Sequence, residues 1–141
     1  MKIIKFEEKY RDDMIFMVLS AKNALGRIPR LNEDLLDIKT NFFDKGQPFW
    51  IALDEFDRVI GCIGTRVTEN GEVFLSRLYV KFDFKRHGIG SKLLELAENS
   101  ARERGFKEIH VHLGAEYLES HIFYPKHGYI EYKELYMKKK L

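Results

Sequence analysis

An apolar run from Val73 to Val80 leads, a few residues later, into Lys85-Arg86-His87-Gly88-Ile89-Gly90-Ser91 and then into an amphipathic helical pattern. This succession of strand, glycine turn and helix constrains the chain more than any other stretch. The first N–H groups of a helix have no partners within it, carry partial positive charge and point outward, so they suit a phosphate or pyrophosphate. Gly88 and Gly90 lack side chains and let a ligand approach the backbone. Lys85, Arg86 and His87 add positive charge at the same place. The segment reads as an anion cradle, with a tight turn before a capped helix as the plain alternative.

Two familiar phosphate loops do not fit. No stretch supplies G-x-x-x-x-G-K-[ST]. Gly88 and Gly90 match the first two glycines of the dinucleotide fingerprint G-x-G-x-x-G, but Leu93 stands in the third place. Such loops also usually follow the first strand of a domain, whereas this one lies past the middle of the chain.

The segment resembles the [Q/R]-x-x-G-x-[G/A] loop of the GNAT superfamily of N-acetyltransferases. Ser76-Arg77-Leu78-Tyr79-Val80 is similar to that family's R-L-Y-V strand, and Phe123-Tyr124-Pro125-Lys126-His127-Gly128-Tyr129 to its F-Y-x-K-x-G-[F/Y] segment. The three motifs occur in the family's order and separations, and cover about the C-terminal half.

A length of 141 residues suggests a single domain, 1–141, with a proper core. With 33% charged and 45% hydrophobic residues the composition is that of an ordinary globular protein. The formal net charge of +2 gives no strong field for nucleic acid. Lys138-Lys139-Lys140 reads as a solvated tail. Met1–Phe6 lacks the apolar core and cleavage site of a signal peptide, and no stretch approaches the ~20 apolar residues of a membrane span. The lone cysteine, Cys62, sits in an apolar run and reads as a buried, inert thiol, so a reducing cytoplasm is the expected compartment.

The pattern of elements predicts an α/β (α+β) fold with a central mixed sheet flanked by helices, in the order β-α-α-β-β-β-α-β-α-β. The strands are expected at Lys2–Phe6, Phe49–Leu53, Val59–Thr68, Glu72–Val80, Lys107–Leu113 and Tyr129–Met137. Glu8–Ala24 carries apolar residues at Met14, Met17, Val18 and Ala21, a helical spacing. Asn32 is placed to cap a second helix bearing Leu35, Leu36, Ile38, Phe42 and Phe43. The third helix, from about Gly90 to Arg104, turns Ile89, Leu93, Leu96, Ala97, Ser100 and Ala101 to one face and ends at Gly105. A short helix from Leu118 to Tyr124 follows, with Pro125 disfavouring helical angles at Tyr124. Asn70-Gly71 signals a hairpin. This order is also that of the GNAT fold.

The resemblance implies acetyl transfer from acetyl-coenzyme A to an amine, with no metal. Residues Lys85, Arg86, His87, Gly88, Ile89, Gly90 and Ser91 would hold the pyrophosphate, and main-chain groups of Leu78, Tyr79 and Val80 the pantetheine arm. Tyr124 matches the tyrosine that protonates the leaving thiolate; a packing role in the core is the plain alternative. The chain departs from the family at several positions. Lys85 replaces the usual Gln or Arg, offering a point charge in place of a fork. Phe74 stands where many relatives carry a glutamate base; Glu72 and Ser76, on the same strand face, are the candidates to act directly or through water. Tyr117 and Ser120 replace the family's asparagine and small alanine at the pantetheine contact. His112 or His121 is a further candidate base, while His110 and His112 lack the company of a metal motif.

The acceptor would bind over the first two helices and their linker, where Arg27 and Arg30 could meet a carboxylate and Phe42, Phe43, Phe49 and Trp50 either wall a pocket or pack the core. A protein amine, an amino acid, a polyamine or an aminoglycoside all remain open, as does a homodimer. Two other classes stand beside the enzyme: a non-catalytic acyl-coenzyme A binding module, and a nucleotide-binding domain of another kind.

Overall fold

Antiparallel neighbours in sequence build the first half of the sheet. The computed structural model describes residues 1–84 and 87–141. Strands β1 (Lys2–Lys5), β2 (Phe49–Leu53), β3 (Val59–Val67) and β4 (Val73–Val80) pair antiparallel in succession. Strand β5 (Glu108–His112) joins β4 in parallel, and β6 (Ile130–Lys133) with β7 (Tyr136–Lys140) completes the order β1-β2-β3-β4-β5-β7-β6. Helices α1 (Arg11–Ala24), α2 (Ile38–Asn41), α3 (Ile89–Glu103) and α4 (Leu118–Lys126) lie between them. Among the described residues no helix is long and apolar enough to cross a membrane.

The sheet is covered on both faces, so β2 and β3 read as nearly unbroken apolar runs. Phe49, Ile51, Leu53 and Cys62 turn to one side and pack with Met14, Met17, Val18, Leu35 and Ile38. Ala52, Ile60 and Ile63 turn to the other and meet Ile89, Leu93, Leu94 and Ala97 of α3. The expected apolar positions of α1 are all buried. The buried stripe of α3 is rotated slightly from the expected one: Leu94 and Glu98 are buried, whereas Leu96 and Ser100 are half-exposed. Gly105, at φ +91°, ends α3 as expected: its N–H donates to the Arg102 carbonyl and the Phe106 N–H to that of Ala101.

Four local expectations need correction. The second helix is broken into a 3₁₀ turn at Glu33–Leu36, the single turn α2 and another 3₁₀ turn at Phe43–Lys45. Asn32 makes no cap; Asp37 does, accepting from the Thr40 N–H at 3.0 Å, because the Asn32 side chain is engaged by Lys22 and Tyr79. Residues 129–137 do not form one strand: Leu135, at φ +65°, turns the chain and makes the hairpin β6–β7. Finally, α4 continues through Pro125 to Lys126, because in the last turn proline costs only one backbone bond. At the Asn70-Gly71 hairpin only Gly71 has positive φ, at +78°, and its N–H closes the turn on the Thr68 carbonyl.

Two irregularities shape the centre of the sheet. A single Cα pairing, Phe74 with His110, joins β4 to β5 among the described residues, so the strands part beyond it. Opposite β3, the register of β4 shifts between Ser76 and Tyr79, and Arg77 sits at φ +59°. This bulge redirects the strand. The strain of a left-handed arginine, of order 1 kcal/mol, is held by two contacts: the Arg77 Nε–H to Asp34 at 3.0 Å and the Cys62 thiol to the Arg77 carbonyl at 3.2 Å.

Candidate functional site

The parting of β4 and β5 opens a cleft of about 820 Å³, a size typical of small-molecule sites. Leu75 to Val80 form one wall and Val111 to Leu113 the other. The start of α3 closes one side, α4 another, and the end of α1 with its following linker a third.

Where it is described, the glycine turn opens α3. Gly88, at φ +77°, is the N-cap of α3, and the Lys92 N–H is bonded to its carbonyl at 3.1 Å. Among the described residues the N–H groups of Ile89, Gly90 and Ser91 meet no acceptor, and Gly88 through Ser91 line the cleft. A Cβ on Gly90 would meet the Phe123 ring only at 3.5 Å. The protein therefore does not itself require glycine at 90, and the bare backbone is free to meet a ligand. Lys85 and Arg86 lie outside the described residues. His87 is exposed and turned to the Phe84 ring, not into the cleft. Ser91 donates to His127 Nε2 at 2.9 Å, and His127 Nδ1 donates to the Phe123 carbonyl at 2.8 Å, which ties the turn to α4.

Tyr124 lies in the cleft, 5% exposed. Among the described residues nothing hydrogen-bonds its hydroxyl. Burial, and secondarily the nearby Tyr79, push the phenol well above the ordinary tyrosine value, so it keeps its proton at neutral pH. Tyr79 is also raised, chiefly by burial, and its hydroxyl accepts from Asn32 at 3.0 Å. Ser76, Leu78, Tyr79, Val80, Tyr117 and Ser120 all line the cleft. His112 lines it too, stacked on Tyr136 at 4.3 Å. His121 is turned to the Gly114 carbonyl at 3.2 Å.

Glu72 does not reach the cleft. It stands before β4 at the opposite end, 3.4 Å from His110 Nε2, where Glu108 also approaches at 3.1 Å. Glu72, Glu108 and His110 bring three potential ligand atoms within 4.8 Å of one another. Protein groups already engage them: Tyr132 meets His110 Nδ1 at 2.9 Å and Lys138 meets Glu108 at 3.6 Å. Phe74, at the family's glutamate position, stacks on the His110 ring. Of the aromatics near the linker, Phe42 and Phe49 are buried in the core.

Sequence reasoning missed Lys22, Asn32, Lys126 and His127 as cleft residues. Lys22 left a signal, since it falls on the buried face of α1 beside Val18 and Ala21. The residue is 5% exposed, and its ammonium donates to the Arg30 carbonyl at 2.6 Å and to Asn32 at 3.2 Å. Burial lowers its pKa, with Arg77 acting in the same direction.

Solved structures share this architecture. An acetyltransferase of the GNAT family from Staphylococcus aureus Mu50 superposes with a TM-score of 0.89 over 99% of this chain and 98% of its own, at 23% identity. The PaiA N-acetyltransferase of Thermoplasma acidophilum, solved in complex with coenzyme A, gives 0.77 over 99% and 98%, at 21% identity. In sequence, the protein named "Probable N-acetyltransferase camello" of Xenopus laevis is 37% identical over 81 residues, 55% of this chain and 36% of that protein. The chain thus spans a third to a half of the length of the curated relatives it matches. The family model described as acetyltransferase (GNAT) matches residues 11–129. With that match running from α1 through the cleft to Tyr129, the chain belongs to the GNAT acetyltransferase family.

Proposed function

We propose that this chain is an N-acetyltransferase that uses acetyl-coenzyme A and a primary amine. One observation carries the reading: a single cleft brings together helix amides at Ile89–Ser91 that meet no acceptor among the described residues, the free edge of a bulged strand at Leu78–Val80, and the protonated phenol of Tyr124. The residues fit the cosubstrate. The amides, with Lys126 nearby, suit the pyrophosphate, and the β4 backbone beside the gap suits an amide-bearing arm. Bound acetyl-coenzyme A supplies an acyl group on a thiol leaving group.

Tyr124 holds the proton that the departing sulfur needs, and its burial keeps that proton in place until then. A main-chain N–H of the bulged segment polarises the carbonyl under attack. Ser76 and His112 are the cleft residues able to pass the amine's proton on through water. Cys62, buried and 3.2 Å from a carbonyl, takes no part and fits a reducing cytoplasm.

A non-catalytic acyl-coenzyme A module is the second reading, favoured by Phe74 and by the remoteness of Glu72. The test is thermal unfolding with acetyl-coenzyme A, with ATP and NAD as controls, followed by thiol release with a panel of amines. A ligand confined to the folded state raises Tm by mass action. A shift with acetyl-coenzyme A alone, and thiol release that falls ~100-fold in Tyr124→Phe without loss of that shift, is expected. A shift with ATP or NAD only refutes the proposal, binding without transfer to any amine favours the module, and an unaltered rate in the variant removes Tyr124 from the chemistry.

A further inference from the structure

Arg27 stands in the cleft wall with its donors only partly matched. Its position follows from how α1 ends. Gly26, at φ +77°, lets its own N–H donate to the Asn23 carbonyl and that of Arg27 to the Lys22 carbonyl. This stop sends the Arg27 side chain across the cleft mouth to the start of α4. There Nη2 donates to the Glu116 carbonyl at 2.7 Å and to Glu119 at 3.1 Å, and the guanidinium lies 3.9 Å from the centroid of the Tyr117 ring. Nε and Nη1 are buried and meet no acceptor among the described residues. Buried donors without an acceptor are destabilising, so an arrangement of this kind calls for a partner that the protein itself does not supply.

The surrounding charge says what kind of partner. Lys22, Arg27, Arg77 and Lys126 line the cleft against Glu119 alone among the carboxylates of the described residues. Arg77 is committed to Asp34, and Lys22 to a carbonyl and an amide. A polycationic acceptor would be repelled here, whereas an anionic group is attracted and matches the planar donors of a guanidinium. The location is right for a substrate contact. Arg27, Tyr117 and Tyr124 line the same cleft, so a group held at Arg27 shares that space with the phenol.

Resting on the acetyltransferase reading, we propose that Arg27 is the specificity residue that takes the carboxylate of the acceptor, and that the acceptor is a small amine bearing a carboxylate, of the amino-acid class. Its carboxylate accepts from Nη1, the terminal nitrogen left without an acceptor among the described residues, once the Tyr117 ring shifts from the guanidinium. Arg30 has no such role: it is exposed, and its contribution is a carbonyl to Lys22.

Thiol release is measured for the full chain with the twenty amino acids, their carboxamides and the matching decarboxylated amines. The best acceptor is expected to be a free amino acid, at least tenfold better in kcat/KM than its own amide. Arg27→Gln should raise KM for that acid ~10–100-fold with kcat nearly kept, so that the ratio of acid to amide falls toward one. Arg27→Lys should recover part of it. If Arg27→Gln does not fold, the acid-to-amide ratio of the unaltered protein decides alone. A shift in Tm with acetyl-coenzyme A, together with transfer only to amines lacking a carboxylate, overturns this proposal and leaves the acetyltransferase reading standing. Faster transfer to a peptide with N-terminal Asp or Glu than to any free amino acid overturns the small-molecule class. No shift and no transfer overturns both.

Discussion

Glu98 should be worth far more to this protein than a surface carboxylate, and the structure says by how much. It sits on α3, 7% exposed, accepting from the Tyr129 hydroxyl at 2.7 Å and from the Lys139 ammonium at 3.1 Å. These contacts fasten the helix that starts at the glycine turn to the C-terminal end of the sheet, and so hold both sides of the cleft. Glu98→Ala strands the Tyr129 hydroxyl, itself 3% exposed as a residue, at a cost of about 1–3 kcal/mol. Lys139, with 29% of its side chain exposed, can turn toward water, so its share is below ~1 kcal/mol. The net loss is about 1–4 kcal/mol. For 141 residues the unfolding entropy is about 0.3 kcal/mol/K, giving a fall in Tm of about 3–13 °C. Calorimetry on Glu98→Ala, Tyr129→Phe and the double variant checks this, with a coupling of about 1–2 kcal/mol expected between the two sites. The pH dependence adds a second check. Burial first, then the Glu98 hydrogen bond, push the Tyr129 phenol far above its ordinary value. Because the folded-state value lies above the unfolded one, the contribution is whole below about pH 10 and fades as the pH rises beyond it. Because burial, the larger cause, persists in Glu98→Ala, both proteins should lose stability above about pH 10, and their difference should narrow only above the lower folded-state value left in the variant. Additive single-site losses, or a Tm drop under ~2 °C, would refute the reasoning.

Gly64 faces two buried rings: a Cβ there would lie 2.5 Å from Phe49 Cδ2 and 2.9 Å from Phe42 Cε1. Gly64→Ala should cost about 1–3 kcal/mol by overpacking, read as a lower urea midpoint at unchanged m-value; an unmoved midpoint would mean that the rings yield freely. Cys62 is fully buried, and burial pushes its thiol up to about 12. A disulfide reagent at pH 8 should leave it untouched in the folded protein and modify it on unfolding in urea, whereas rapid labelling of the native state would show an opening at the β3–β4 bulge.

The order of strands and helices, the stop of α3 at Gly105 and the turn at Gly71 were legible in the sequence because each depends on local periodicity or on the backbone freedom of one residue. The same holds for the glycine turn and for Tyr124, whose neighbours in sequence are also neighbours in the cleft. What only the tertiary structure decided concerns distances between segments. Glu72 shares a strand face with Ser76, yet at ~3.3 Å per residue it stands about 13 Å away, beyond the point where β4 and β5 separate. Residues 129–137 look like one strand, and the left-handed Leu135 that divides them leaves no mark in an alternating pattern. Arg27 and Arg30 are equivalent in a linker, and only the turn at Gly26 puts one guanidinium in the cleft wall and leaves the other in solvent. Local pattern determines which elements form; where strands part, which side chains meet across the gap and which donors stay unpaired depend on packing between residues up to 92 positions apart.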